Sequence, residues 1–206
     1  MKTIIFGLIL LSLGIAAGYY FWHTAPVKNV PLRSTGPILF FGDSLVQGVG
    51  ATVGHDLPAL LSHHLGEPVL NYGVAGDTTR QALVRVDTAQ AAHPRLVLIL
   101  LGGNDFLQKV PRDEIFENLR SLITTFQSDG AATVLIGVRS GIIGGGADDR
   151  YESLATETDS FYIEDVLQGV FGDPALMSDA IHPNDAGYRK IADRITPDIQ
   201  SLIHAR

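Results

Sequence analysis

The sequence predicts an α/β protein: a three-layer α/β/α sandwich around a parallel sheet. Three observations predict it. Short apolar runs rich in Ile, Val, Leu and Phe recur along the chain, the pattern of strands buried on both faces. Longer amphipathic stretches separate them, so each strand is followed by a helix and a right-handed crossover. Polar residues suited to chemistry stand directly after the runs, where open parallel sheets bind their ligands.

The chain opens on Ile4–Trp22, which carries no charged side chain and follows Lys2. At ~1.5 Å rise per residue such a helix spans a bilayer. Tyr19, Tyr20, Phe21 and Trp22 close it in the manner of an interfacial aromatic belt. The competing reading is a cleaved signal peptide, with Ala16-Ala17-Gly18 as the small-residue site. Residues 1–22 are therefore expected to be an anchor or a signal. This places the protein in the cell envelope: on the periplasmic side of the inner membrane if anchored, periplasmic or secreted if cleaved. Residues 23–36 contain Pro26, Pro31 and Ser34-Thr35-Gly36 without apolar periodicity, and read as a tether. Residues 37–206 are expected to form a single folded domain.

Within that domain Ile38–Phe41, Val69–Tyr72, Leu96–Leu101 and Thr133–Val138 are the expected strands, with Ser160–Ile163 a weaker fifth. Helices are expected over Leu57–Leu65, Thr79–Ala92, Arg112–Gln127, Tyr151–Thr158 and Ala186–Ile203. Ile115, Leu119, Leu122, Ile123 and Phe126 fall on one face of the third. Pro197 predicts a break in the last helix, with Thr196 capping a fresh start.

Composition narrows the function. The net charge is −7 and the pI about 5.4, which argues against a nucleic-acid partner, since phosphates need clustered Lys and Arg. Cysteine is absent, which excludes disulfides, thiolate metal sites and a Cys nucleophile. His63 and His64 are adjacent, with His55 at a spacing unlike a helical ligand pair. Surface histidines are the better reading, and neither a metal nor another cofactor is expected. No Gly-x-Ser-x-Gly elbow occurs, and no Walker lysine follows Gly48-x-Gly50.

Four segments remain: Gly42-Asp43-Ser44-Leu45, Gly73 to Thr78, Gly102-Gly103-Asn104-Asp105, and Asp179-Ala180-Ile181-His182-Pro183. Ester hydrolysis needs a nucleophile, a base and donors for an oxyanion. Ser44 lies at a strand-to-turn junction, where its hydroxyl and N–H can face the rim. His182 is the strongest base, with Asp179 placed to accept from its Nδ1. Asn104 and Gly76 are candidate oxyanion donors. Taken singly, each has an ordinary explanation: a helix cap, a surface histidine, a turn asparagine, a turn glycine. Asp43 and Asp105 read as carboxylates that hold their loops.

Together the four segments match, in order, the blocks of the SGNH (GDSL) hydrolases. The sequence resembles that family over about Ile38 to Ile203, and within it the bacterial thioesterase I, lysophospholipase L1 and arylesterase group. The resemblance implies a flavodoxin-like parallel sheet. It implies Ser44 as nucleophile with His182 and Asp179 completing the triad, and an oxyanion hole of Ser44 N–H, Gly76 N–H and the Asn104 side chain. The expected substrate is a small acyl ester, thioester or lysolipid. The same residues would serve a carbohydrate deacetylase, and a membrane-tethered binding protein on an inactive hydrolase fold is the rival from another class. Gly141–Gly146 reads as a flexible loop, with Ile142 and Ile143 positioned to border an acyl chain.

Overall fold

The computed structural model describes residues 35–138 and 147–204. The expected anchor, nearly all of the tether, and Ile142 and Ile143 lie outside the described residues. The strands are β1 (Ile38–Gly42), β2 (Val69–Gly73), β3 (Leu96–Leu100), β4 (Ala132–Ile136) and β5 (Phe161–Ile163). Every pairing is parallel, in the order β2-β1-β3-β4-β5. That is the flavodoxin-like order, whose topological switch lies between β1 and β3.

The helices are α1 (Ser44–Gln47), α2 (Leu57–Leu65), α3 (Thr79–Val84), α4 (Val86–Gln90), α5 (Gly103–Leu107), α6 (Arg112–Ser128), α7 (Ala147–Glu157) and α8 (Asp185–His204). Alternation along each strand divides the core between two faces. Ile38, Phe40, Leu98 and Val134 pack under α1, α2 and α8, with Leu57, Leu61, Ile191 and Ile195. Leu39, Phe41, Ile99 and Leu135 pack under α3, α4, α6 and α7, with Ala82, Leu119, Phe126 and Leu154. The fully buried Phe, Leu and Ile side chains each contribute about 1.5–3 kcal/mol relative to exposure, which holds both layers on the sheet.

Three expectations are corrected. The single helix over Thr79–Ala92 is two, α3 and α4, divided at Arg85, whose φ of −114° and ψ of 8° leave the helical region. Its cause is tertiary: the Arg85 side chain is drawn to acceptors at the sheet's edge, as described below. The break at Pro197 does not occur, and α8 runs through it. Ile195, Ile199 and Leu202 keep one buried face on both sides of the proline, and that packing outweighs one missing hydrogen bond. Thr196 does not cap a new helix, because its hydroxyl donates to Ala192 O at 2.6 Å. Lastly, His64 is not a free surface residue. It is half-buried between α2 and α8, with Nδ1 at 3.1 Å from Thr196 Oγ1.

Candidate active site

Strands β1, β2 and β3 end side by side, with Gly42 in register with Gly73 and Leu100. The segments that follow them therefore meet on one rim. A Cβ on Gly42 would lie 2.4 Å from Leu100 O and Val46 Cγ2, so only glycine lets α1 fold back so tightly against the strand end. Asp43 caps α1, its Oδ1 accepting from Leu45 N at 3.0 Å. Ser44 is thus the first residue of a short helix rather than part of an open turn, and it is buried.

The fourth segment is a tight loop closed by an antiparallel bridge between Met177 and Pro183. Ser178 N donates to His182 O at 2.8 Å. Asp179 Oδ1 accepts from the backbone N–H groups of Ile181 and His182, both at 2.7 Å, and its Oδ2 lies 2.8 Å from His182 Nδ1. On the other side of the ring, His182 Nε2 lies 3.0 Å from Ser44 Oγ. The hydrogen bonds from the His182 ring, then from the His182 and Ile181 backbone, hold the Asp179 carboxyl down at about 2. An ionised carboxylate only accepts, so the ring proton sits on Nδ1 and Nε2 is left with a lone pair toward Ser44. The three side chains form a continuous hydrogen-bonded chain from carboxylate through imidazole to hydroxyl.

The other two segments complete the rim. Gly76, at φ +85°, occupies the turn closed by Asp77 N donating to Val74 O. Asn104 Nδ2 donates to Asp77 O at 2.9 Å and stands 3.4 Å from Asp43 Oδ2, so one amide ties three of the four segments together. Asp105 is buried and accepts from Thr79 N and from Thr79 Oγ1 at 2.7 Å, fixing the third segment to the start of α3. Burial raises its carboxyl above the usual range. Burial does the same to Asp43, which rises to about 7 although the Leu45 N–H and the neighbouring His182 oppose it. Both aspartates hold their loops, as their positions suggested.

The structure also places in this region two groups the sequence reading passed over. Arg85 reaches Asp77, Tyr72 O and Gly42 O. Asp185 binds Thr52 through both the backbone N and the hydroxyl at 2.7 Å, joining the loop after α1 to the first turn of α8. Neither has a signature in residue spacing. Among the described residues no group of three or more His, Cys, Asp or Glu is placed to hold a metal ion.

Known proteins share this fold. The model of the GDSL-like lipase/acylhydrolase family matches residues 40–190. The thioesterase 1/protease 1/lysophospholipase L1 of Escherichia coli K12 is 30% identical over 176 residues, covering 81% of this chain and 85% of its own length. An arylesterase of Vibrio mimicus is 31% identical over 179 residues, covering 81% of this chain and 90% of its own. The crystal structure of TesA superposes with a TM-score of 0.76 at 28% identity, covering 81% of this chain and 99% of that one. The chain belongs to the GDSL-like lipase/acylhydrolase family and is a carboxylic ester hydrolase of the esterase, thioesterase and lysophospholipase kind.

Proposed function

As a member of that family, we propose, the protein hydrolyses acyl esters or thioesters with Ser44 as nucleophile, His182 as general base and acid, and Asp179 orienting the imidazole. The observation that carries this reading is the 3.0 Å contact between His182 Nε2 and Ser44 Oγ, with Asp179 on the far side of the ring. Ser44 Oγ attacks the acyl carbonyl carbon while its proton passes to Nε2. The carbonyl oxygen becomes an oxyanion, stabilised by Ser44 N–H, Gly76 N–H and the Asn104 amide. Asn104 Nδ2 has two hydrogens, and the one toward Asp43 is in the longer contact; that is the one surrendered to the oxyanion. The imidazolium then protonates the departing alcohol or thiol. A water deprotonated by His182 attacks the acyl-enzyme, releases the acid and restores the serine.

The substrate proposed is a short or medium acyl chain on an aryl alcohol, a lysophospholipid or coenzyme A. Val74 and Leu107, on segments that leave β2 and β3 at this rim, offer exposed apolar surface to such a chain. Residues 1–22 are proposed to direct the domain to the cell envelope, as an anchor or a signal.

Ser44→Ala should lower kcat by a factor on the order of 10³ or more with the fold intact, and abolish labelling by an organophosphonate ester. Near-normal turnover would overturn the mechanism. A panel of aryl esters, acyl-coenzyme A, lysolipids and acetylated sugars, run on the parent, assigns the leaving group.

A further inference from the structure

Arg85 occupies the single residue between α3 and α4. Its Nε donates to Asp77 Oδ2 at 2.6 Å, one terminal nitrogen to Tyr72 O and the other to Gly42 O, both at 2.9 Å. The guanidinium carbon lies 4.3 Å from the centroid of the Phe41 ring. The side chain is 22% exposed and that of Asp77 10%, so the pair is largely shielded from solvent and from screening. Each acceptor leads to one of the groups assigned above to the oxyanion. Gly42 is two residues before Ser44, and its carbonyl also accepts from Val74 N at 3.0 Å. Asp77 follows Gly76, and its own carbonyl receives the Asn104 amide. Tyr72 is the next-to-last residue of the strand that leads to Gly76. The planar fork of one guanidinium therefore sets the spacing between the ends of β1 and β2 and the Gly76 turn, which lysine, a single point charge, cannot do.

We propose that Arg85 is a positioning residue for the oxyanion hole, holding the N–H groups of Ser44 and Gly76 and the Asn104 amide at the separation that the transition state requires. The inference rests on the triad reading above. It predicts a cost confined to the chemical step, because Arg85 touches the donors' supports and not the acyl group.

The experiment is kinetics on Arg85→Ala, Arg85→Lys and Asp77→Asn, with Ser44→Ala beside them. Active sites are counted by exhaustive phosphonate labelling, so kcat is expressed per titrated site. Arg85→Ala should lower kcat per site by about 30- to 100-fold, with KM within about threefold of the parent. Arg85→Lys and Asp77→Asn should fall between the parent and Arg85→Ala. Added guanidinium should restore part of the Arg85→Ala activity. Labelling should be slower yet reach completion. A purely structural role would instead reduce the number of titratable sites and leave kcat per site unchanged; that result, or a change in KM alone, overturns the inference. Should Arg85→Ala not fold, Arg85→Lys and Asp77→Asn decide by the same criterion. Turnover and labelling that survive Ser44→Ala overturn the triad reading itself, which separates the two failures.

Discussion

Asp43 shows how far the site departs from what its residues would do in water. Its carboxyl is buried beside Ser44 and rises to about 7, while an unfolded aspartate titrates near 3.8. Between those two pH values the native state holds a proton that the unfolded chain has released, so stability declines as pH climbs through that window. This is the reverse of Asp179, whose carboxyl is held at about 2 and whose contribution is present above the unfolded value and lost only in strong acid. Asp43→Asn keeps the acceptor for Leu45 N and removes the buried charge. It should stabilise the protein by a few kcal/mol at pH 8.5 and by little at pH 4, measured by urea denaturation at both. An equal effect at the two pH values would show that Asp43 carries no unfavourable charge. Ser44, Asp179, His182, Asn104 and Gly76 stood out in the sequence by residue type and order, and the structure brings their four segments to one rim. Arg85 did not, since two of its partners are backbone carbonyls, which every residue possesses.

Elements were legible where periodicity had room to repeat. Leu57–Leu65 has the boundaries its pattern implies, and the strands agree within about two residues at each end, the usual uncertainty of boundaries. Helices α1 and α5 went unseen, because little more than one turn carries no period. The division at Arg85 and the continuity of α8 share a cause: contacts across the domain overrode local preference, against the helix in one case and for it in the other. That continuity has a measurable consequence. Pro197 is exposed, so replacing it leaves no cavity, and alanine restores an N–H where the ladder lacks one. A helical proline costs about 3 kcal/mol against alanine, and about 1 of this is returned through the stiffer unfolded chain. Pro197→Ala should therefore raise the unfolding free energy by about 1–2 kcal/mol in a denaturant titration, with kcat unchanged. A loss of stability would mean that the ring is held by contacts worth more than the missing hydrogen bond.

Among the described residues the core begins at Ile38, and residues 1–36 are proposed to be dispensable to it. A protein beginning at Pro31 should stay soluble and keep its full kcat. The complete chain should sediment with membranes if residues 1–22 remain, or begin after Gly18 if they are removed, as N-terminal sequencing will show. Recovery of the intact chain in the soluble cytoplasmic fraction would exclude both. The hydrogen bond between Ser44 and His182 spans 138 residues. At about 5–20 residues per second, roughly seven to thirty seconds of synthesis separate the appearance of Ser44 from that of His182, the nucleophile and base proposed above. Throughout that interval the serine is an ordinary hydroxyl, and a chain halted before residue 182 never acquires its base. On the mechanism proposed above, the order of its parts alone keeps the nascent chain from hydrolysing acyl esters. Activity counts finished chains.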